Sequence, residues 1–206
     1  MAGDESIYCR RGFSVPMTFV LGIAGSPRRG GNSELLLDAA LAGAAGEGAE
    51  VQKVVLSELS FSGCTSCNKC ANGHDCVLQD DMEHVYSSLD RADVIILASP
   101  LYFEGLSSQM KAMIDRGQVY WVRKYVLRRQ GKRRRGAMIA VGARLNADFT
   151  SALRPAKVWL LTMNADMDTL TFGGFEEKGS ILDDPDALAN ARALGSRLVA
   201  EGRNLH

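Results

Sequence analysis

The chain has 206 residues, is 46% hydrophobic and is formally neutral, with 24 basic and 24 acidic side chains. A chain of this length buries roughly 70% of its unfolded surface, so one globular domain folds without staples and structural disulfides are not demanded. Zero net charge supplies no global field for nucleic acid or a membrane surface, and no run approaches the ~20 apolar residues of a transmembrane helix.

Arg10-Arg11-Gly12-Phe13, followed by an apolar stretch from Met17 to Ala24, has the pattern of a twin-arginine export signal. The same stretch, however, runs straight into a Gly-Ser-Pro-Arg loop, and cleavage there would delete the strand that positions it. The expectation is a flexible arm over 1–16, a functional beginning at Met17, and a cytoplasmic protein. Cys9 stands alone and reads as an ordinary thiol.

Thr18 to Ala24 is a continuous apolar run, the pattern of a strand buried on both faces. It ends in Gly25-Ser26-Pro27-Arg28-Arg29-Gly30-Gly31-Asn32-Ser33, which suits a terminal phosphate. Ser26, Asn32 and Ser33 offer short polar groups, Gly30 and Gly31 let backbone N–H groups approach closely, and Arg28 or Arg29 can neutralise a dianion. The loop is neither G-x-G-x-x-G nor G-x4-G-K-[ST], so neither common nucleotide fingerprint applies. Asn32 or Ser33 can cap a helix with Leu37, Ala40, Leu41 and Ala44 inward, ended by Gly46 and Gly48.

Val51 to Leu56 reads as a second strand. After it come Cys64, Cys67, Cys70 and Cys76, spaced C-x2-C-x2-C-x5-C. Three sulfurs on one turn with a fourth nearby make the ligand set of a 4Fe–4S cube. The fourth gap is longer than in ferredoxins, and Val77 stands where their proline would be. Tetrahedral zinc prefers two separated C-x2-C pairs; zinc and free or disulfide-switching thiols stay open as other uses. His74 lies inside this segment.

Asp80-Asp81 opens a helix with Met82, Val85, Tyr86 and Leu89 on one face. Val94 to Ala98 is the central strand, followed by a Ser99-Pro100-Leu101-Tyr102-Phe103-Glu104-Gly105 loop. Adjacent aromatics at a strand's carboxyl end can pack on a flat apolar ligand while loop backbone groups bond its polar edge. Leu106, Met110, Met113 and Ile114 line the next helix. Arg123, Lys124, Arg128, Arg129, Lys132, Arg133, Arg134 and Arg135 then form a dense basic stretch, read as a solvated helix end and loop. A sharper reading is a dock for an acidic electron-transfer partner or a nicotinamide dinucleotide phosphate. Ala137 to Val141 is the fourth strand, with Gly142-Ala143-Arg144-Leu145-Asn146 as a weaker third wall. A helix over 150–163, a fifth strand over 168–172 and a last helix beginning near Pro185 complete the pattern.

Strands alternating with helices imply one parallel sheet with right-handed crossovers. The expected architecture is an α/β, flavodoxin-like three-layer sandwich: five parallel strands in order 2-1-3-4-5, helices on both faces, and the Cys-rich segment at 62–80 inserted between strand 2 and helix 2. Residues 17–206 form a single domain in this reading. Ligands in such sheets sit at the carboxyl edge, where the phosphate loop, the aromatic loop and the cysteines all fall.

Gly25 to Ser33, Cys64 to Asp81, Ser99 to Arg116 and the tail Gly179 to Pro185 together resemble the NAD(P)H-dependent FMN reductase superfamily, above all its iron–sulfur flavoprotein branch. The resemblance spans nearly all of 17–200. It implies FMN with its phosphate at Ser26, Arg28, Asn32 and Ser33, beside the close backbone of Gly31, and its ring at Pro100, Leu101, Tyr102, Phe103 and Gly105. It also implies a 4Fe–4S cluster on Cys64, Cys67, Cys70 and Cys76, and a homodimer or homotetramer. The function expected is an oxidoreductase that moves electrons between ferredoxin or NAD(P)H and an acceptor, its organic chemistry belonging to FMN and no side chain assigned as acid or base. The alternatives are a cluster-free NAD(P)H-dependent FMN or quinone reductase, a non-enzymatic electron carrier, and a zinc-stabilised regulatory or nucleic-acid-binding module. No nucleic acid or membrane partner is expected.

Overall fold

The computed structural model describes residues 17–73 and 75–205; the expectations for the 1–16 arm, Cys9, His74 and His206 fall outside them. The long strands are β1 (Phe19–Ala24), β2 (Glu50–Val55), β3 (Val94–Tyr102), β5 (Arg134–Gly142) and β6 (Ala165–Gly173), with a two-residue β4 (Gly105–Leu106) between β3 and β5. Their order is β2-β1-β3-β5-β6, all parallel, and β4 pairs antiparallel with β3. The long strands follow the expected flavodoxin-like order; β4 is an addition.

Period-two alternation explains the two cores. Phe19, Leu21, Ile23, Ile95, Leu97, Met138 and Ala140 point to one face, and Val20, Ala24, Val94, Ile96, Ala98, Ala137 and Ile139 to the other. The first face is covered by α2 (Met82–Arg91), α3 (Ser108–Arg116), α4 (Gln118–Trp121) and α5 (Thr150–Thr162). The second is covered by α1 (Asn32–Gly46) and α6 (Pro185–Arg203). These two helices touch backbone to backbone. A Cβ on Gly43 would lie 2.0 Å from the Arg192 carbonyl oxygen, and one on Gly195 would lie 1.8 Å from that of Ala40.

Four local expectations change. Neither Asn32 nor Ser33 caps α1: Gly31 holds the N-cap position and no side chain caps the helix. Leu106 belongs to β4 rather than to the following helix, which begins after Ser107, whose Oγ accepts from the Met110 N–H at 3.2 Å. The loop read from Ser99 onward starts later, because β3 continues through Tyr102, with Pro100 aligned beside Val141 of β5. The basic stretch is not uniformly solvated: Arg134 and Arg135 begin β5. Arg134 is 8% exposed and donates to the carbonyls of Ala92 at 3.0 Å and Met163 at 2.8 Å, where a cation meets carbonyls left over at helix ends.

Candidate functional site: two adjoining pockets and a cysteine cavity

The loop from Gly25 to Ser33, where a phosphate is expected, is shaped by a carboxylate that the sequence pattern did not mark. Glu34 is buried and accepts from the Gly30 N–H at 2.8 Å, Arg29 Nη2 at 2.8 Å and Lys53 Nζ at 3.0 Å. Burial alone would raise this carboxyl; the hydrogen bonds from Arg29, Lys53 and Gly30 outweigh it and hold it at about 2. Arg29 is also paired with Glu58, so it is committed to the protein. The guanidinium of Arg28 is exposed and has no such partner among the described residues. Of the two arginines in the loop, Arg28 is therefore the one free to meet a ligand. Gly30 takes φ +63°, a conformation open to glycine at little cost.

Ser26 and Ser33 are buried in the loop, and Ser26 Oγ accepts from the Arg28 N–H at 3.1 Å. Asn32 is engaged elsewhere. Its amide donates to the carbonyls of Glu177 at 2.8 Å and Phe175 at 3.3 Å, and its oxygen accepts from the Ile181 N–H at 3.2 Å. It thereby holds the loop after β6 against α1. That loop brings Lys178 beside Gly30, a cation the sequence did not single out. Ser26, Arg28, Gly31, Asn32, Ser33, Pro100, Leu101, Tyr102 and Lys178 line a pocket of about 270 Å³.

A second pocket of about 480 Å³ adjoins it, lined by Leu101, Phe103, Glu104, Gly142, Ala143, Arg144, Asn146 and Ala147. The two share Leu101 and Ala143, forming one trough along the carboxyl edge of β1, β3 and β5. The weak third wall is thus present: a Cβ on Gly142 would come within 2.7 Å of Ala147 Cβ, so the wall closes only around glycine. Phe103 is fully exposed at the tip of the β3–β4 hairpin, and Gly105 closes that hairpin opposite Tyr102. A buried serine pair joins the two rims. Ser107 Oγ donates to the Gly25 carbonyl at 2.5 Å, and the Ser107 N–H donates to Ser99 Oγ at 3.1 Å. A Ser directly before an apolar helical stripe is an N-cap signal the sequence did carry.

All four cysteines, Cys64, Cys67, Cys70 and Cys76, line one cavity of about 280 Å³ together with Arg116, Gln118 and Val119. Among the described residues no disulfide joins them. Ser66 and Asn68, at φ +55° and +57°, flank Cys67; the Ser66 N–H donates to Cys64 Sγ at 3.4 Å, and the N–H of Lys69 lowers the Cys67 thiol. Burial pushes Cys70 up, and the charges of Cys64, Cys67 and Cys76 add to it. Four cysteines lining one cavity are a soft, anionic donor set once deprotonated, suited to a cationic centre. Among the described residues no three His, Cys, Asp or Glu side chains converge to hold one metal ion; the four cysteines instead share the lining of one cavity. Burial also pushes the Tyr86 hydroxyl, close to Cys76, up to about 12, so it stays protonated. The basic stretch packs here too: Arg123 pairs with Asp75, and Arg129 lies beside Gly73.

The sheet order and the trough at its carboxyl edge are those of a flavodoxin-like α/β protein, and the family match makes it a flavin-dependent oxidoreductase. Residues 18–173 match the NADPH-dependent FMN reductase family, and the chain belongs to that family. It is 33% identical over 188 residues to an iron-sulfur flavoprotein of Methanocaldococcus jannaschii, covering 87% of this chain and 95% of the relative. It is 33% identical over 141 residues to an iron-sulfur flavoprotein of Methanosarcina thermophila, covering 68% and 72%. A solved flavone reductase superposes with a TM-score of 0.69 at 20% identity, covering 91% of this chain and 64% of that one; at this identity the likeness is one of fold. Among the described residues no helix is long and apolar enough to cross a membrane.

Proposed function

We propose that residues 17–206 act as one FMN-binding domain with a 4Fe–4S site in the 62–80 insertion, passing electrons between ferredoxin or NAD(P)H and an acceptor. The single observation behind the cluster half is that Cys64, Cys67, Cys70 and Cys76 line the same cavity. Bound FMN exchanges electron pairs with a hydride donor and single electrons with a one-electron centre, so the two together convert one currency into the other. Ser26, Ser33 and the close backbone at Gly31 receive the phosphate, with Arg28 and Lys178 neutralising its charge. Asn32 acts by holding the 175–181 loop in place. Pro100, Leu101, Tyr102, Phe103 and Gly105 form one side of the ring site, and Gly142 to Ala147 the other. The protein works as a cytoplasmic homodimer or homotetramer.

The test is anaerobic purification of the full chain, followed by flavin, iron, acid-labile sulfide and zinc analysis. One FMN with four irons and four sulfides per chain is the expected result. FMN without iron leaves the cluster-free reductase; zinc without flavin points to the regulatory module. A loaded protein that ferredoxin reduces, but that does not oxidise NAD(P)H at steady state whichever acceptor is supplied, is an electron carrier.

A further inference from the structure

The insertion that bears the cysteines leaves the sheet after β2 and returns at α2, and both of its ends meet on one side chain. Arg116, the last residue of α3, is 1% exposed. Its Nη1 donates to the Ser62 carbonyl at 3.0 Å and to Asp80 Oδ2 at 2.6 Å, and its Nη2 donates to Asp80 Oδ1 at 3.0 Å. Ser62 lies just before Cys64 and Asp80 just after Cys76. The Nε donates to the Tyr86 hydroxyl at 3.3 Å, which itself donates to the Arg116 carbonyl at 3.0 Å. A second tie closes the neck below: the Ser60 N–H donates to Asp81 Oδ2 at 2.6 Å, and the Asp81 N–H to the Ser60 carbonyl at 3.3 Å.

The placement of charge is asymmetric. Arg116 lines the cysteine cavity; Asp80 does not. The guanidinium holds its counter-ion, Asp80, outside that lining. It does not lose its proton in a protein, and a buried charge is weakly screened. One-electron reduction adds negative charge to an iron–sulfur centre, so a fixed positive charge on the cavity wall favours the reduced state.

We propose that Arg116 is a positioning residue with two effects on the metal site: it clasps the neck of the 62–80 insertion, and it raises the reduction potential of the centre bound there. This rests on the cluster reading above. Asp80 opposes the second effect by offsetting the guanidinium's charge, so the potential is set by a matched pair rather than by a lone cation.

The experiment uses the full chain purified without air, in wild-type, Arg116→Gln and Asp80→Asn forms. Iron content, the rate of iron release to a chelator, and the midpoint potential in a dithionite titration followed by electron paramagnetic resonance are measured. Arg116→Gln is expected to move the midpoint down and to release iron about tenfold faster. Asp80→Asn leaves the guanidinium with less counter-charge and is expected to move the midpoint up. A purely structural clasp would not give opposite signs. Wild-type iron retention and midpoint in Arg116→Gln overturn the proposal. If Arg116→Gln does not fold, the sign for Asp80→Asn decides, and an unchanged or lowered midpoint overturns it. Iron-free wild-type protein would instead remove the cluster reading itself.

Discussion

Glu34 is the residue on which the geometry of the phosphate loop hangs. Its carboxyl falls from an ordinary value near 4.5 to about 2, so its contribution to stability is complete above about pH 4.5 and disappears as pH drops through 2. Glu34→Gln keeps the shape, removes the charge and leaves Arg29 and Lys53 facing a neutral amide. At pH 7 this variant is expected to lose about 2–3 kcal/mol in urea unfolding, and its acid limb between pH 4.5 and 2 should be flatter than that of wild type. Parallel acid limbs would show that the carboxylate has no such role. Nothing in the linear pattern marked Glu34. An acidic residue in the first turn of a helix reads as a response to the helix dipole, and only the fold brings Lys53 and Arg29 to it. Arg116 was missed for a similar reason: a cation at a helix C-terminus reads as a solvated end.

The β3–β4 hairpin turns through Phe103 and Glu104 alone, at φ +50° and +61°. Both are non-glycine residues in the left-handed region, in a two-residue turn where Asn-Gly would sit without strain. Left-handed backbone costs roughly 1–2 kcal/mol for such a residue, and glycine's extra freedom when unfolded costs about 0.5–1. Glu104→Gly should therefore stabilise the flavin-free protein by roughly 0.5–1 kcal/mol, seen as a rise in Tm; a lowered Tm would mean the turn is not strained. Backbone strain beside a ligand pocket persists where the residues have a use there, and Phe103 stands fully exposed over the larger pocket. The sequence marked this loop through its paired aromatics, but it did not show that β3 runs on through Pro100 to Tyr102, because proline and a following aromatic pair look like the end of a strand.

Over the whole molecule, the phosphate loop is only as well placed as α1, and α1 is placed by α6. A methyl on Gly195 would strike the Ala40 backbone at 1.8 Å, and backbone cannot step aside as a side-chain tip can. Gly195→Ala is expected to cost about 3 kcal/mol in chemical denaturation, through the separation of two close-packed helices. Because α1 carries Asn32 and Ser33, FMN affinity should fall as well, although Gly195 lies far along the helix from the pocket. Unchanged stability would show that the helices can part without cost.

The sequence by itself determined the strand and helix pattern, the glycine-rich and aromatic loops, and the four cysteines, because period-two and helical apolar patterns, glycine-rich turns and close Cys spacing are local properties; the order of the long strands was expected from the fold type that this pattern resembles. Tertiary structure alone decided which charges face one another. It committed Arg29 to Glu34 and left Arg28 open, brought Lys178 to Gly30, buried Arg116 under the cysteine cavity, and folded the basic stretch onto the cysteine loop through Arg123 and Asp75. Apart from Arg29 and Glu34, five residues apart, those partners are distant along the chain, and an ion pair has no sequence period: its strength depends on distance and burial, which exist only once the chain has folded.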